Sequence, residues 1–149
     1  MIINFYHLGD PYGEFSNFAR YPIQLHGKTW PTSEHFFQAQ KYAGTPREEE
    51  IRHAKTPSEA ARLGRDRKVG LRPDWESVKD AVMREAVLAK FTQHDELREL
   101  LLSTGDATLV EHTENDSYWG DGGDGSGRSM LGRILMEVRA ELRRQGQGQ

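Results

Sequence analysis

Cysteine is absent from this chain of 149 residues. That excludes a disulfide scaffold, thiolate zinc sites, iron–sulfur clusters and cysteine nucleophiles, and it fits a reducing compartment. Apolar runs are short, as at Leu100-Leu101-Leu102, so no segment is expected to span a membrane. The first residues, Met1-Ile2-Ile3-Asn4-Phe5, carry neither a basic n-region nor an apolar h-region, and no secretory signal is expected. A basic excess is missing too. The net charge of −3 argues against a dedicated duplex-binding domain and predicts no stable grip on duplex nucleic acid. Internal repeats, linker-like stretches, a Gly-x-Ser-x-Gly elbow and a His-Glu-x-x-His pair are all missing, which argues against a solenoid, a serine hydrolase and a zincin. His35, His53, His94 and His112 show no metal spacing and read as surface or helix-end residues.

What is present describes one α+β domain over residues 1–144, with a disordered tail at 145–149. The length suffices for a real core, and aromatics at 9 % suffice for that core plus a stacking pocket. Ile2 to Tyr6 reads as a strand. Pro22 to His26, a turn at Gly27 and Lys28-Thr29-Trp30 read as strands on either side of a turn. Thr32 or Ser33 caps a helix beginning at Glu34. Thr45-Pro46-Arg47-Glu48 and Thr56-Pro57-Ser58-Glu59 are capping boxes with proline at the first helical position. Asp74 caps a longer helix with Trp75, Val78, Val82, Ala86 and Ala89 on its apolar stripe. Asp95 opens another, closed by Gly105, and Thr108 to Glu111 forms a further strand. The last helix runs from about Met130 to Arg144 on Leu131, Ile134, Leu135, Val138 and Leu142. The sum is a helical majority with a small antiparallel sheet, not a doubly wound βαβ fold.

Three places carry more polar order than a core needs. Glu34, Gln38 and Lys41 stand at i, i+4 and i+7 and share one helix face. The helix dipole favours an ionised acid in the first turn, although a solvated acid and lysine would show the same pattern. The second place is Glu111 to Gly120. From Glu99 to Gly127 there is no Lys or Arg, while seven acids crowd the stretch. Beside Tyr118 and Trp119 that composition suits an acid/base site, a divalent-metal site or a solvated loop. The third is Gly120 to Ser129, where five of the eight residues from 120 to 127 are glycine. Close backbone N–H groups, a following helix start and the fork of Arg128 suit a phosphate, against the bland reading of a flexible loop. It is neither a Walker loop nor a Rossmann fingerprint.

An ordered series of blocks then stands out: Phe15-Ser16-Asn17-Phe18, Trp30-Pro31-Thr32-Ser33-Glu34-His35-Phe36-Phe37-Gln38-Ala39-Gln40-Lys41, Trp75-Glu76-Ser77-Val78-Lys79 with Val82-Met83, Leu109 to Asp116 with Trp119-Gly120, and Gly125-Ser126-Gly127 with Leu131-Gly132 and Leu135 to Arg139. In this order and at these spacings the chain resembles the YbiA-like family, also called NADAR (NAD- and ADP-ribose-associated), from about Ile3 to Leu142. It departs from that family at Ser129, where members commonly carry Asn. The resemblance implies an N-glycosidase without a cofactor, acting in the cytoplasm on a small molecule. Relatives hydrolyse the C–N bond between ribose 5-phosphate and a pyrimidine in early riboflavin-pathway intermediates, and others remove ADP-ribose from modified guanine. A third possibility is a non-catalytic module that binds ADP-ribose or a related nucleotide.

Breaking a ribosyl C1–N bond builds positive charge on the sugar, which a nearby carboxylate stabilises. Glu34 is the first choice for that carboxylate, and Asp116 is the second acid or water activator. Trp75 and Trp119 are expected to stack on the departing base. Arg128, with Gly120 and Gly127 of the glycine loop, is expected to take the phosphate. Phe18, Gln38 and Asn115 are further expected substrate contacts. Lys41 opens another route, a Schiff base with ring-opened ribose.

Overall fold

The structure, a computed structural model, describes Met1 to Gln147. The elements in chain order are β1 (Ile2–Phe5), β2 (Ile23–Leu25), β3 (Lys28–Trp30), α1 (Ser33–Gln40), α2 (Pro46–Arg52), α3 (Pro57–Arg65), α4 (Trp75–Gln93), α5 (Asp95–Ser103), β4 (Thr108–Glu111) and α6 (Met130–Gln147). A single 3-10 turn at Gly13–Phe15 follows β1. The fold is α+β and mostly helical. Packing divides the chain into two compact units: Asn17–Lys90, and Met1–Ser16 together with the chain from Phe91 onward. Neither junction looks like a linker in sequence. The first cuts the Ser16-Asn17 bond of an aromatic block, and the second falls inside α4.

The unit of residues 17–90 holds the β2–β3 hairpin and α1 to α3. β2 and β3 pair antiparallel with Ile23 opposite Trp30. The two residues between them, His26 and Gly27, both have positive φ (54° and 73°), the backbone that matches the twist of a tight hairpin. Trp30, Ile23, Phe36, Tyr42, Ile51 and Ala60 fill the core. Thr32 is the N-cap of α1, and its Oγ1 accepts the His35 N–H. The His35 ring reaches the Ala54 carbonyl through Nε2 and Thr32 through Nδ1. Burial lowers its pKa, with the Ala54 bond opposing the fall and Arg20 adding to it. His35 is therefore at a helix end, one of the two places expected, but buried as a core clamp and not on the surface. Of the two expected capping boxes, Thr56 caps α3 by accepting the Glu59 N–H. At Thr45 the side chain donates to the Tyr42 carbonyl instead, and Glu48 reaches the Gly44 N–H.

The other unit pairs β1 with β4 in parallel, Ile3 opposite Leu109. The expected antiparallel pairing thus holds for β2–β3, while the second pair runs parallel. Parallel strands need a long crossover, and here 102 residues of chain, Tyr6 to Ala107, separate them, beyond the reach of local pattern reading. Ile3, Phe5, Leu109, Leu131, Leu135, Val138 and Phe91 are buried in this unit. α6 lies so close to β4 that a Cβ at Gly132 would stand 2.0 Å from the Leu109 carbonyl oxygen. His94, not Asp95, is the residue preceding α5 as its N-cap. α6 runs to Gln147, so 145–147 of the expected disordered tail are helical, and 148–149 lie outside the described residues.

Candidate active site

The face of α1 read from the sequence is built as a buried polar row. Glu34 sits in the first helical turn, and its backbone N–H donates to the Asn17 carbonyl. Asn17 also takes the Ser33 hydroxyl on Oδ1 at 2.8 Å and points Nδ2 at the Met83 sulfur. This residue, given no role in the sequence reading, pins the end of α1 that carries the acid. Gln38 donates Nε2 to Glu34 Oε2 at 2.7 Å, which fixes one carboxylate oxygen. The other amide atom of Gln38, Oε1, is buried without a hydrogen-bond partner among the described residues and lies against Gly64 of α3.

Lys41, the C-cap of α1, is 9 % exposed. Its Nζ has no hydrogen bond or ion pair among the described residues and lies 5.6 Å from the Phe37 ring centroid and 5.9 Å from that of Trp75. Burial in this aromatic corner lowers its pKa to about 8, with Arg67, Arg65 and Lys79 adding to the fall and Glu34 opposing it. A solvated lysine is therefore not what this face carries. Trp75 packs on Phe37 at 5.2 Å and is only 6 % exposed, which leaves little of its ring for a base to stack on. Phe18 is half-buried on the segment leading to β2.

The remaining expected residues sit in the loop between β4 and α6. Asp116 Oδ1 accepts from the N–H groups of Tyr118 and Trp119, both at 2.8 Å, so this oxygen closes the loop and Oδ2 is the one left for chemistry. Asn115 donates Nδ2 to the Tyr6 hydroxyl. Trp119 is half-buried and stands edge-on to Tyr118 at 4.8 Å. Asp121 receives the Thr113 and Gly123 N–H groups and pairs with His112 at 2.8 Å. Burial would raise its pKa, but these bonds win and hold it below the usual carboxylate range.

Gly120 and Gly127 are packing glycines. A Cβ on either would stand within 3 Å of loop backbone, and the Gly127 N–H is bonded to the Asp121 carbonyl. The N–H groups of Gly122, Gly123, Ser126 and Arg128 likewise have partners inside the loop. The backbone cradle expected for a phosphate is thus largely self-satisfied. Arg128 is exposed, stacks its guanidinium over the Tyr118 ring at 5.7 Å, and lines a cleft of about 530 Å³ with Gly127, His112 and Arg133. Asp116 and Trp119 are not among the residues lining that cleft. Ser129 keeps a positive φ of 46° and accepts the Glu111 N–H on its hydroxyl.

Among the described residues no group of three or more His, Asp or Glu is placed to hold a metal ion. No helix among them is long and apolar enough to cross a membrane.

A model of the NADAR domain matches residues 4–143. The N-glycosidase YbiA of Escherichia coli (strain K12) is 62 % identical over 141 residues, which cover 95 % of this chain and 88 % of that protein. The chloroplastic riboflavin biosynthesis protein PYRR of Zea mays is 43 % identical over 156 residues, 95 % of this chain but 25 % of the maize protein. The NMR structure of the E. coli protein YbiA superposes with a TM-score of 0.92 at 59 % identity, covering 99 % of this chain and 88 % of that one.

Proposed function

Because the chain belongs to the NADAR domain family and is an N-glycosidase of riboflavin-related metabolism, we propose that its substrates are phosphoribosylated pyrimidine intermediates of riboflavin biosynthesis. Water replaces the pyrimidine nitrogen at ribose C1, the base leaves with a proton, and ribose 5-phosphate is released.

One observation carries this reading: the buried row of Glu34, Gln38 and Lys41 beside Phe37 and Trp75. A carboxylate with one oxygen fixed by Gln38 cannot turn away as positive charge develops on the sugar, so its field is preorganised for that charge. Within the same unit, Trp75 forms a wall beside Lys41, and Phe18 is a further expected contact. Glu34→Gln keeps the Gln38 contact but removes the charge. It should lower kcat by about 10²–10³-fold; unchanged turnover would remove Glu34 from the reaction. Assaying ADP-ribosyl-guanine beside the riboflavin intermediate tests the substrate class, and faster release from guanine would overturn our choice.

A second reading is favoured by Lys41 itself, a buried amine without a hydrogen bond among the described residues and with a pKa lowered to about 8. Its lone pair would bond to C1 as the C1–N bond breaks. The sugar ring then opens to an imine, which water hydrolyses. Borohydride added during turnover should link the sugar irreversibly to Lys41, as read by peptide mass. An unlabelled peptide under conditions of full turnover excludes the imine.

A further inference from the structure

The chain is acidic overall, yet cations converge on Lys41. Arg65 ends α3 and Arg67 follows two residues later, both just after Gly64, which meets the Gln38 amide. Arg67 is held in place by donating Nη1 to the Gly64 carbonyl at 2.6 Å and to the Tyr42 hydroxyl at 3.1 Å. Neither contact is a carboxylate. Arg65 is exposed and makes no hydrogen bond or ion pair among the described residues. Lys79 lies one turn beyond Trp75, on the same face of α4 as the ring that flanks Lys41. Arg67, Arg65 and Lys79 all act on Lys41 electrostatically, opposed by the carboxylate of Glu34; Lys79 is paired with Glu76 at 3.1 Å, so the two arginines are the cations left for an anion. Like charges gathered around a desolvated ammonium weaken a fold unless an anion joins them.

We propose that the substrate's phosphate monoester is held by Arg65 and Arg67, with Lys79 beside them, and not by Arg128 and the glycine loop. This rests on the N-glycosidase reading for the identity of the ligand. The glycine loop has turned most of its N–H groups inward. Arg67, in contrast, is preorganised by two neutral acceptors and keeps donors for a phosphate, the arrangement in which a guanidinium binds such a group well. The seat also places the phosphate end of the ribose on the side of α1 that carries Lys41, within the unit that holds Glu34.

Arg65→Ala is the clean variant, since its side chain is exposed. Arg67→Lys keeps the charge and tests the fork. Each should raise KM for the phosphorylated substrate by about 10-fold or more, the loss expected for a charge-assisted bond. The preference for that substrate over its dephosphorylated nucleoside should fall by the same factor. Arg128→Ala should leave that preference standing. A collapse of the preference in Arg128→Ala, with none in the other two, overturns the proposal. A second arm needs no turnover: titration of ribose 5-phosphate followed by amide NMR should shift signals at residues 64–68, and Arg65→Ala should weaken the binding. Binding there by a protein that hydrolyses neither substrate would sink the reaction and keep the seat. Hydrolysis with ribose 5-phosphate binding indifferent to Arg65 and Arg67 would sink the seat and keep the reaction.

Discussion

Lys41 shows how a single residue can be costly to the fold and useful to the reaction. Its folded pKa of about 8 lies below the ordinary lysine value of 10.5, so the folded state holds its proton less tightly than the unfolded chain does. The sign follows from linkage: this group opposes folding at pH 7, and stability rises as pH climbs from about 8 toward about 10.4. Lys41→Met, which keeps the bulk and removes the charge, should therefore raise Tm at pH 7 while turnover falls. A lower Tm would show that the ammonium is supported by contacts not seen here. On the imine route kcat/KM should climb to a plateau with an apparent pKa near 8, because the neutral amine is the reactive form. A rate flat between pH 6 and 9 in a steady-state profile would count against that route. Gln38 is a positioning residue acting through Glu34. Gln38→Leu should lower kcat more than it raises KM, since it frees the carboxylate rather than removing a ligand contact.

At the level of elements, two helix contacts depend on a missing side chain. The Gly64 surface of α3 lies on the Gln38 amide, where a Cβ would stand 2.0 Å from Oε1. The nearest obstacle is the end of a side chain, so Gly64→Ala should leave the fold intact at a cost of about 1–3 kcal/mol while displacing Gln38 and with it Glu34. Activity should fall further than thermal stability. At Gly132 the obstacle is the Leu109 backbone carbonyl in β4, which cannot swing aside. Gly132→Ala should cost about 3 kcal/mol and lower Tm by about 6–12 °C in thermal unfolding. An unchanged Tm would mean that α6 moves off β4 freely. The sequence showed Gly132 inside a helical pattern and a Thr-Pro helix start before Gly64, but not what each one faces. That depends on which helix crosses which strand, and periodicity holds no information on it.

For the molecule as a whole, acid is the condition that tests its electrostatics. Glu49 is held at about 2 by its bonds to Arg52 and Lys28, and Asp66, Asp74, Asp121 and Asp124 are also held below their ordinary values. Carboxylates with depressed pKa values stabilise the fold fully above their unfolded values near 4 and lose that support as pH falls through the folded ones. Tm should therefore decline mildly below about pH 6.5, where the unfolded chain's His35 gains a proton that the buried ring resists, and fall steeply between pH 4 and 2. A decline confined to pH above 5 would contradict this ordering. The sequence by itself determined the elements. Apolar spacing, the Thr-Pro helix starts and the turn at Gly27 are local signals, and each of the six α-helices and four strands among the described residues was legible from them. It also determined the shared face of Glu34, Gln38 and Lys41, because helix geometry alone puts them there. Only the tertiary structure decided that Lys41 is buried, that β1 pairs in parallel with β4, that Asp116 and the glycine loop satisfy themselves, and that Arg65 and Arg67 stand by α1. These depend on contacts between residues far apart in the chain, where burial and charge are set by neighbours that no local pattern names.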